Sequence, residues 1–477
     1  MIRELFADAS GDEQMSAEIA TIIDEFLGRS RPEVVTASSV RLMLLRGRTH
    51  EAERHLREFR DAGSFPELAD WVRCWYPGLS GLVSAPPPAA SFEVGTGLEG
   101  LSVLAAFFAG HDSAAAVARA DQVLRACPMG EPGLESLVSA LATLVYADRA
   151  DLAARWCEPL LEQTTSHCDP YWQGAFAAIR AETAIRQGRV KDAERCARNA
   201  FSHLPMEAWG VALGTPLAAM TMAKTALGKL EDAARYLAVP VLDAMFQTPV
   251  GLHYLSARGT YRLAAGAAED ALADFLACGD LMRGWGIDLP GVVAWRLGAV
   301  RALLQLGRTG EARRLAEEQL AEGRSAGAEH TRTWGIALRL RALTLPLRER
   351  PEALEQAVET LQLVQDTLEL AHALADAGWA YSQLEDGPRA RAAERRSRQL
   401  LRSCGASPQE RPVPPPSPGA DLSEAERRVA TLAARGQTNR QISGVLFVTV
   451  STVEQHLTRI YRKLGVSRRA DLPVFLD

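Results

Sequence analysis

At 477 residues the chain is longer than one compact core organises, and several domains are expected. An apolar share of 47% and a charged share of 23% suit a soluble globular protein; the longest apolar run, "LSVLAAFFAG" around Leu104, has the length of a buried helix rather than a membrane span, and the acidic start "MIRELFADASGDEQ" lacks the sections of a signal peptide. The formal net charge of -6 excludes a chain basic throughout, yet residues 421–477 hold nine Arg/Lys against six Asp/Glu, a balance of +3 that leaves -9 on the remainder.

The seven cysteines are scattered, with no C-x-x-C pair and no His/Cys cluster at zinc spacing, so reduced thiols in a cytoplasmic protein are expected, with no metal and no cofactor. Residues 1–83 read as an N-terminal helical cap or broken repeat, and a Pro/Ala-rich connection, "SAPPPAAS" within residues 84–94, follows.

From residue 95 to 403 one phrase recurs: small or apolar residues, a turn residue, then Ala five positions on. It reads "FAGHDSAA" at Gly110, "YADRADLA" at Asp148, "RQGRVKDA" at Gly188, "ALGKLEDA" at Gly228, "AAGAAEDA" at Gly266 and "QLGRTGEA" at Gly307. Degenerate copies stand at Arg348 and Glu385, and an outlying one, "LRGRTHEA", at Gly47; from Gly110 the intervals are 38, 40, 40, 38, 41, 41 and 37. Each phrase joins two antiparallel helices. The turn residue takes the left-handed conformation that ends the first helix, and the alanine lets the second pack close. One hairpin cannot bury its own apolar face, so hairpins stack. The pattern resembles tetratricopeptide-type repeats of somewhat greater length, which implies a superhelical, right-handed array and a binding surface for an unidentified small molecule, peptide or protein effector. Large aromatics precede the turns at Trp172, Trp209, Tyr254, Trp295 and Trp334. Two roles fit these rings: lining an effector groove, or filling the core between helices.

No catalytic constellation is present in the sequence. The Gly-rich "VGTGLEGLS" at residues 94–102 has no Lys to hold a phosphate, there is no G-x-S-x-G, and the nine histidines are dispersed. An enzyme is not expected. The array ends in "RARAAERRSRQLL", where Arg389, Arg391, Arg395, Arg396 and Arg398 crowd one Glu, either a solvated helix face or a supplementary phosphate contact. Residues 404–420, with "PQERPVPPPSPG", form a Pro-rich linker.

Residues 421–477 punctuate into four short helices. Ser423 with Glu426 is a capping box opening a helix that Gly436 ends; Thr438 with Gln441 is a second, opening a helix to Leu446. Thr449 caps a third helix that Gly465 stops, and Ser467 caps a fourth. The second and third, separated by "FVT", make a helix-turn-helix. In the third, Val453, Leu457, Ile460 and Leu464 form an apolar stripe. Its opposite face carries Ser451, Glu454, Gln455, Thr458, Arg459 and Arg462, with Thr452 and Lys463 alongside. Small polar residues at the amino end suit base edges and the cations behind them suit phosphates.

The motifs "L-S-x-x-E", "G-x-T-N", "T-V-x-x-H" and "K-L-G-V" stand in order in this segment, which resembles the LuxR-type (GerE-like) DNA-binding domain over residues 421–472. The resemblance implies a four-helix domain whose third helix reads the major groove of double-stranded DNA. Base reading then falls to Glu454, Gln455 and Thr458, with Ser451 beside them, and phosphate binding to Thr452, Arg459, Arg462 and Lys463, with Asn439 and Arg440 opening the supporting helix. It further implies a bacterial transcription regulator acting as a homodimer and meeting RNA polymerase, laid out like the carboxyl-terminal half of the large ATP-binding LuxR-type regulators. Gln441 and Ser443 depart modestly from the family pattern, Gly444 weakens the second helix, and Pro473 disturbs the fourth, the family's usual dimerisation element. The fold expectation is therefore all-α: a superhelical array of tetratricopeptide-like helix hairpins followed by a four-helix helix-turn-helix domain. The competing reading is a helical-repeat interaction scaffold whose last module no longer reads DNA.

Overall fold

The computed structural model describes residues 36–61, 66–83, 99–127, 133–167, 170–407, 424–464 and 469. The connections at 84–98 and 408–423, and with them Ser423, lie outside the described residues, as do Cys168, Gly465, Ser467 and Pro473. Every regular element among the described residues is a helix. The chain after Arg411 belongs to a compact unit distinct from that of the repeats.

The repeat unit begins with α1 (Ala37–Leu45), α2 (Thr49–Asp61) and α3 (Pro66–Trp75). Eight hairpins follow: α4 (Glu99–Phe108) with α5 (Ser113–Ala126), α6 (Gly133–Tyr146) with α7 (Ala150–His167), α8 (Pro170–Arg186) with α9 (Val190–His203), and α10 (Gly214–Ala226) with α11 (Leu230–Leu237). Next come α12 (Pro249–Ala264) with α13 (Ala268–Trp285), α14 (Trp295–Gln305) with α15 (Thr309–Ser325), α16 (Arg332–Leu343) with α17 (Arg350–Leu363), and α18 (Thr367–Gln383) with α19 (Gly387–Cys404).

The recurring phrase sits where the two helices of a hairpin meet. Its turn residue has positive φ at Gly47, Gly110, Asp148, Gly188, Gly228, Gly266, Gly307 and Glu385. At Arg348 the turn is built differently: a short 3-10 helix, Leu347–Glu349, leads into α17, whose second residue is Pro351. The alanine five residues on is buried in each phrase but one. In the Gly110 phrase Ala115 is exposed and Ala116 is buried in its place. The cause is a cap one residue later, for the Asp112 carboxylate accepts from Ala114 N and α5 starts at Ser113. A continuous apolar core runs from Val40 and Leu44 through Leu137, Phe176 and Leu217 to Trp295.

The repeats also touch at long range, at a nearly constant interval. The Asp148 carboxylate accepts from Thr333 N at 2.9 Å and from Thr333 Oγ1 at 2.7 Å across 185 residues. Thr367 N donates to Gln187 O at 3.2 Å. Ser407 N donates to Ala226 O at 2.9 Å, and Ser407 Oγ to Leu227 O at 2.9 Å across 180 residues. Three successive hairpin turns, at Asp148, Gly188 and Gly228, thus meet three successive chain segments about four and a half hairpins later. The half arises because a turn inside one hairpin meets a connection between two others. Gly188 shows how close the approach is. It has φ +67°, and a Cβ there would lie 2.3 Å from Leu368 N and 2.8 Å from Asp366 Oδ1. Only glycine satisfies both the backbone angle and the space.

The second unit contains α20 (Glu424–Ala434), α21 (Asn439–Leu446) and α22 (Val450–Leu464). α20 ends where Gly436 turns to φ +81° and Gln437 N returns to Leu432 O. Both halves of the capping box at Thr438 and Gln441 are formed. Thr449 Oγ1 accepts from Thr452 N at 3.1 Å and so opens α22. Val429, Ala430, Ala433, Ile442, Val453, Leu457 and Ile460 make a small closed core, with Leu432 and Leu446 packed on it. This is the apolar stripe anticipated for the third helix, seated on the two helices before it.

Candidate nucleic-acid interface

α22 has two faces set by sequence spacing. Val453, Leu457 and Ile460 are buried, and Ser451, Glu454, Gln455, Thr458 and Arg459 are exposed on the other side. Fifteen residues at 1.5 Å each make a rod of about 22 Å, a size the major groove of duplex DNA admits. Thr458 Oγ1 donates to its own helix, at Glu454 O, 2.9 Å away, which leaves the hydroxyl's lone pairs outward. Thr452 is half-buried, with its hydroxyl 2.8 Å from that of Thr449. Arg462 and Lys463 belong to α22, but their side chains lie outside the described residues.

The supporting helix presents Arg440 outward, whereas Asn439 is half-buried. The Asn439 side-chain oxygen accepts from Arg469 NH1 at 3.0 Å, and Arg469 Nε donates to Ala433 O at 3.4 Å. Arg469 therefore ties the start of α21 to the end of α20, a link with no local signal in the sequence. The turn between α21 and α22 is Phe447–Thr449. Phe447 adopts φ +54°, and its ring is 94% exposed.

In the repeat unit the five aromatics do not share a wall. Trp209, Tyr254 and Trp295 are buried at 3% exposure each, within the core. Trp209 Nε1 donates to Leu204 O and Trp295 Nε1 to Asp288 Oδ1, so the polar atoms of both rings are used inside. Trp172 and Trp334 are half-buried on separate hairpins. Trp334 lines a cleft of about 570 Å³ with Arg324, Glu329, His330, Arg341 and Gln356, and the Arg324 guanidinium stands 5.8 Å from its ring centre.

Sequence spacing had not singled out the polar groups that the first helices of the hairpins bury. Arg186 donates from Nε to Glu182 at 2.8 Å, from NH1 to Val145 O and Gly291 O, and from NH2 to Val292 O. Arg339 donates to Asp376 at 2.7 Å and to Glu369 at 2.9 Å, and Arg301 NH2 reaches the other oxygen of Glu369 at 2.6 Å. Arg332 Nε is 2.6 Å from Asp366, whose second oxygen caps α18 at Glu369 N. Burial acts to raise the Glu369 carboxyl, but Arg301, His372 and Arg339 overcome it and hold it well below the ordinary carboxylate range. Burial pushes the His253 imidazole down, opposed by the neighbouring Glu182. His253 Nε2 lies 3.1 Å from the Tyr146 hydroxyl, and the two rings stack at 5.6 Å. Glu369, His372 and Asp376, at spacings of 3 and 4 inside an otherwise apolar helix, were the signal that could have found this network.

No helix among the described residues is long and apolar enough to cross a membrane. No group of three or more His, Cys, Asp or Glu among them could hold a metal ion.

Comparison with known proteins places the two units separately. The family model of bacterial regulatory proteins of the luxR family matches residues 420–476. The transcriptional regulatory protein LiaR of Bacillus subtilis is 40% identical over 58 residues, 12% of this chain and 28% of that protein. The DNA-binding transcriptional activator DevR/DosR of Mycobacterium tuberculosis is 32% identical over 108 residues, 23% of this chain and 44% of that protein. The chain thus spans less than half the length of either relative. Among solved structures, Rap protein complexed with competence and sporulation factor superposes with a TM-score of 0.50 over 82% of this chain and 99% of its own, at 11% identity. That likeness shows the fold of the helical repeats. The chain therefore carries, at residues 420–476, a DNA-binding helix-turn-helix domain of the luxR family, after an array of tetratricopeptide-like helical hairpins.

Proposed function

We propose that the protein is a bacterial transcription regulator: its carboxyl-terminal domain reads operator DNA in the major groove, and its repeats bind an effector or protein partner and control oligomerisation. The observation that carries this reading is the outward row Ser451, Glu454, Gln455, Thr458 and Arg459, backed by the buried stripe of α22. Glu454 can accept from cytosine N4 and Gln455 can pair with adenine N6 and N7, each contact discriminating by roughly 1–3 kcal/mol. Ser451 and Thr458 add hydroxyls beside them. Thr452, Arg440, Arg459 and the amide of Asn439 hold phosphates, and Arg462 and Lys463 extend that set by sequence position.

The domain limits read from the sequence belong to the same proposal, as do a homodimer, contact with RNA polymerase and a cytoplasmic location. For the effector, the half-buried Trp334 and its cleft are the better supported position, and Trp172 is a second one. Trp209, Tyr254 and Trp295 are buried core residues, not effector ligands. No step of this function calls for catalysis or a cofactor.

Selection of operators from random DNA with the full chain tests the reading directly. Arg459→Ala is expected to weaken binding to all sequences, and Gln455→Ala to relax preference at one base pair. Equal loss on every sequence in both variants sinks the assignment of roles. Recovery of no preferred sequence would favour the interaction scaffold instead.

A further inference from the structure

The last helix of the array, α19, buries Ala390, Ser397, Leu401 and Cys404 against its neighbours. Its outward side is made of arginine. Arg389, Arg391, Arg395, Arg396, Arg398 and Arg402 are all exposed. Arg391, Arg395, Arg398 and Arg402 follow at spacings of 4, 3 and 4, which sets them in one row along the helix.

On other helices of the array several exposed arginines are matched by an acid one turn away: Arg125 with Asp121, Arg195 with Asp192, Arg198 with Glu194 and Arg283 with Asp280, at 2.7–2.8 Å. α19 breaks that habit. Arg391, Arg395 and Arg402 make no ion pair among the described residues, and Arg398 reaches Glu394 only at 4.0 Å. Arg396 is spent on a neutral partner, Gln362, at 2.7 Å. A further cation stands at the helix end, where a Cβ on Gly405 would lie 2.2 Å from Cε of Lys191. A solvated face would carry the alternating signs that the other helices carry. The acids of α19 are Asp386, 3.6 Å from Arg389 at the helix start, and Glu394, so the six exposed arginines leave a strongly cationic face on a body of charge -9.

We propose that the arginine row of α19 is a second, sequence-independent binding surface for the phosphates of the duplex flanking the operator. It rests on the reading that α22 binds DNA. From Arg391 to Arg402 the row is about 16 Å long, enough for about five phosphates of one strand. Eighteen residues separate Gly405 from Glu424, so the two helices stay within about 60 Å of chain. Once α22 is seated on DNA, that tether holds the row at high effective concentration near the same duplex. The same tether decides between duplex DNA and other polyanions, since neither an acidic protein nor a membrane is delivered to the row in this way.

The test uses the full chain, wild type and Arg391→Gln/Arg395→Gln/Arg398→Gln/Arg402→Gln, with binding measured by fluorescence anisotropy across a salt series. One duplex holds the selected operator alone, and the other adds about two helical turns of arbitrary sequence on each side. Wild type should bind the longer duplex more tightly, with a log–log salt slope steeper by about two to four, at about 0.9 per phosphate engaged. The variant should bind both duplexes with the slope that wild type shows on the short one. Circular dichroism checks its fold, and Arg395→Gln/Arg402→Gln, expected to lose about half the slope difference, replaces it if the quadruple variant is unstable. An unchanged flank dependence in a folded variant overturns the proposal alone. Wild type that binds neither duplex overturns the reading of α22 and this one with it. Arginine-dependent binding to phosphatidylserine vesicles without flank dependence on DNA assigns the row to a membrane surface and overturns it too.

Discussion

The carboxylate of Asp148 holds Thr333, 185 residues away, by both its backbone N–H and its hydroxyl. Asp148 is also the hairpin turn residue with φ +59°, a place where most copies of the phrase use glycine. The departure has a physical reason, because glycine would relax the turn but could not reach Thr333. Two hydrogen bonds to a charged acceptor, each worth about 1.5–3 kcal/mol, outweigh a left-handed cost of about 1–2 kcal/mol. Asp148→Gly is therefore expected to destabilise the repeats by about 2–3 kcal/mol, and Asp148→Asn by less. Hydrogen exchange at the Thr333 amide should accelerate in step. Wild-type melting and exchange in Asp148→Gly would remove the seam from the account.

The buried pairs around Glu369 are expected to fail asymmetrically. Arg339→Met takes the guanidinium they share from Asp376 and Glu369, leaving Glu369 with Arg301 and His372, and breaking a buried pair from one side costs about 3–5 kcal/mol. Adding Asp376→Leu removes a buried carboxylate that has lost its Arg339 bond and should recover part of the loss. Thermal melts of the two variants decide it: a double variant no more stable than the single one would contradict the pairing.

Acid should loosen the repeats through His253. Its folded pKa is depressed, so the folded state favours the neutral ring and the unfolded chain binds the proton first. The stability it contributes is complete above the unfolded value near 6.5 and is lost as pH falls through that value toward the folded one. His253→Gln should flatten the melting temperature against pH between about 7 and 5. Equal slopes in both proteins would show that burial and Arg186 do not hold the ring neutral against Glu182.

Two substitutions in the helix-turn-helix are expected to stabilise it. Phe447 combines a left-handed backbone with an exposed ring, so Phe447→Gly relieves about 1–2 kcal/mol while losing little packing. A Cβ on Gly444 would meet nothing within 4 Å, so Gly444→Ala should add about 1 kcal/mol of helix propensity. Both are read from hydrogen exchange of the α21 and α22 amides in the full chain under increasing denaturant. A fall in stability in Phe447→Gly would mean that the exposed ring has a partner, and one in Gly444→Ala that the open face of α21 has one.

What the sequence made visible follows the range of each signal. A left-handed turn residue and a small residue five positions on are local, and they located the hairpins. Ala115 misled only because Asp112 caps its helix one residue late. The division of α22 was equally visible, since Val453, Leu457 and Ile460 reveal their buried side by spacing alone. The seams were not, for nothing near Thr367 announces that its N–H will meet Gln187. The aromatics were ambiguous for a related reason: a ring ahead of a turn fits a core and a groove equally until its neighbours across the hairpins are known. Asn439 was read as a phosphate ligand without Arg469, which sits thirty residues away on its oxygen.

The nearly constant interval between Asp148 and Thr333, Gln187 and Thr367, and Leu227 and Ser407 has a consequence for how this array can change. An open solenoid tolerates the gain or loss of one unit, because each repeat answers only to its neighbours. Here a unit of about forty residues inserted between the partners would shift all three seams together, and none would find its mate. Such a chain can drift in residue identity but not in the number of its repeats. Its length has become part of its lock.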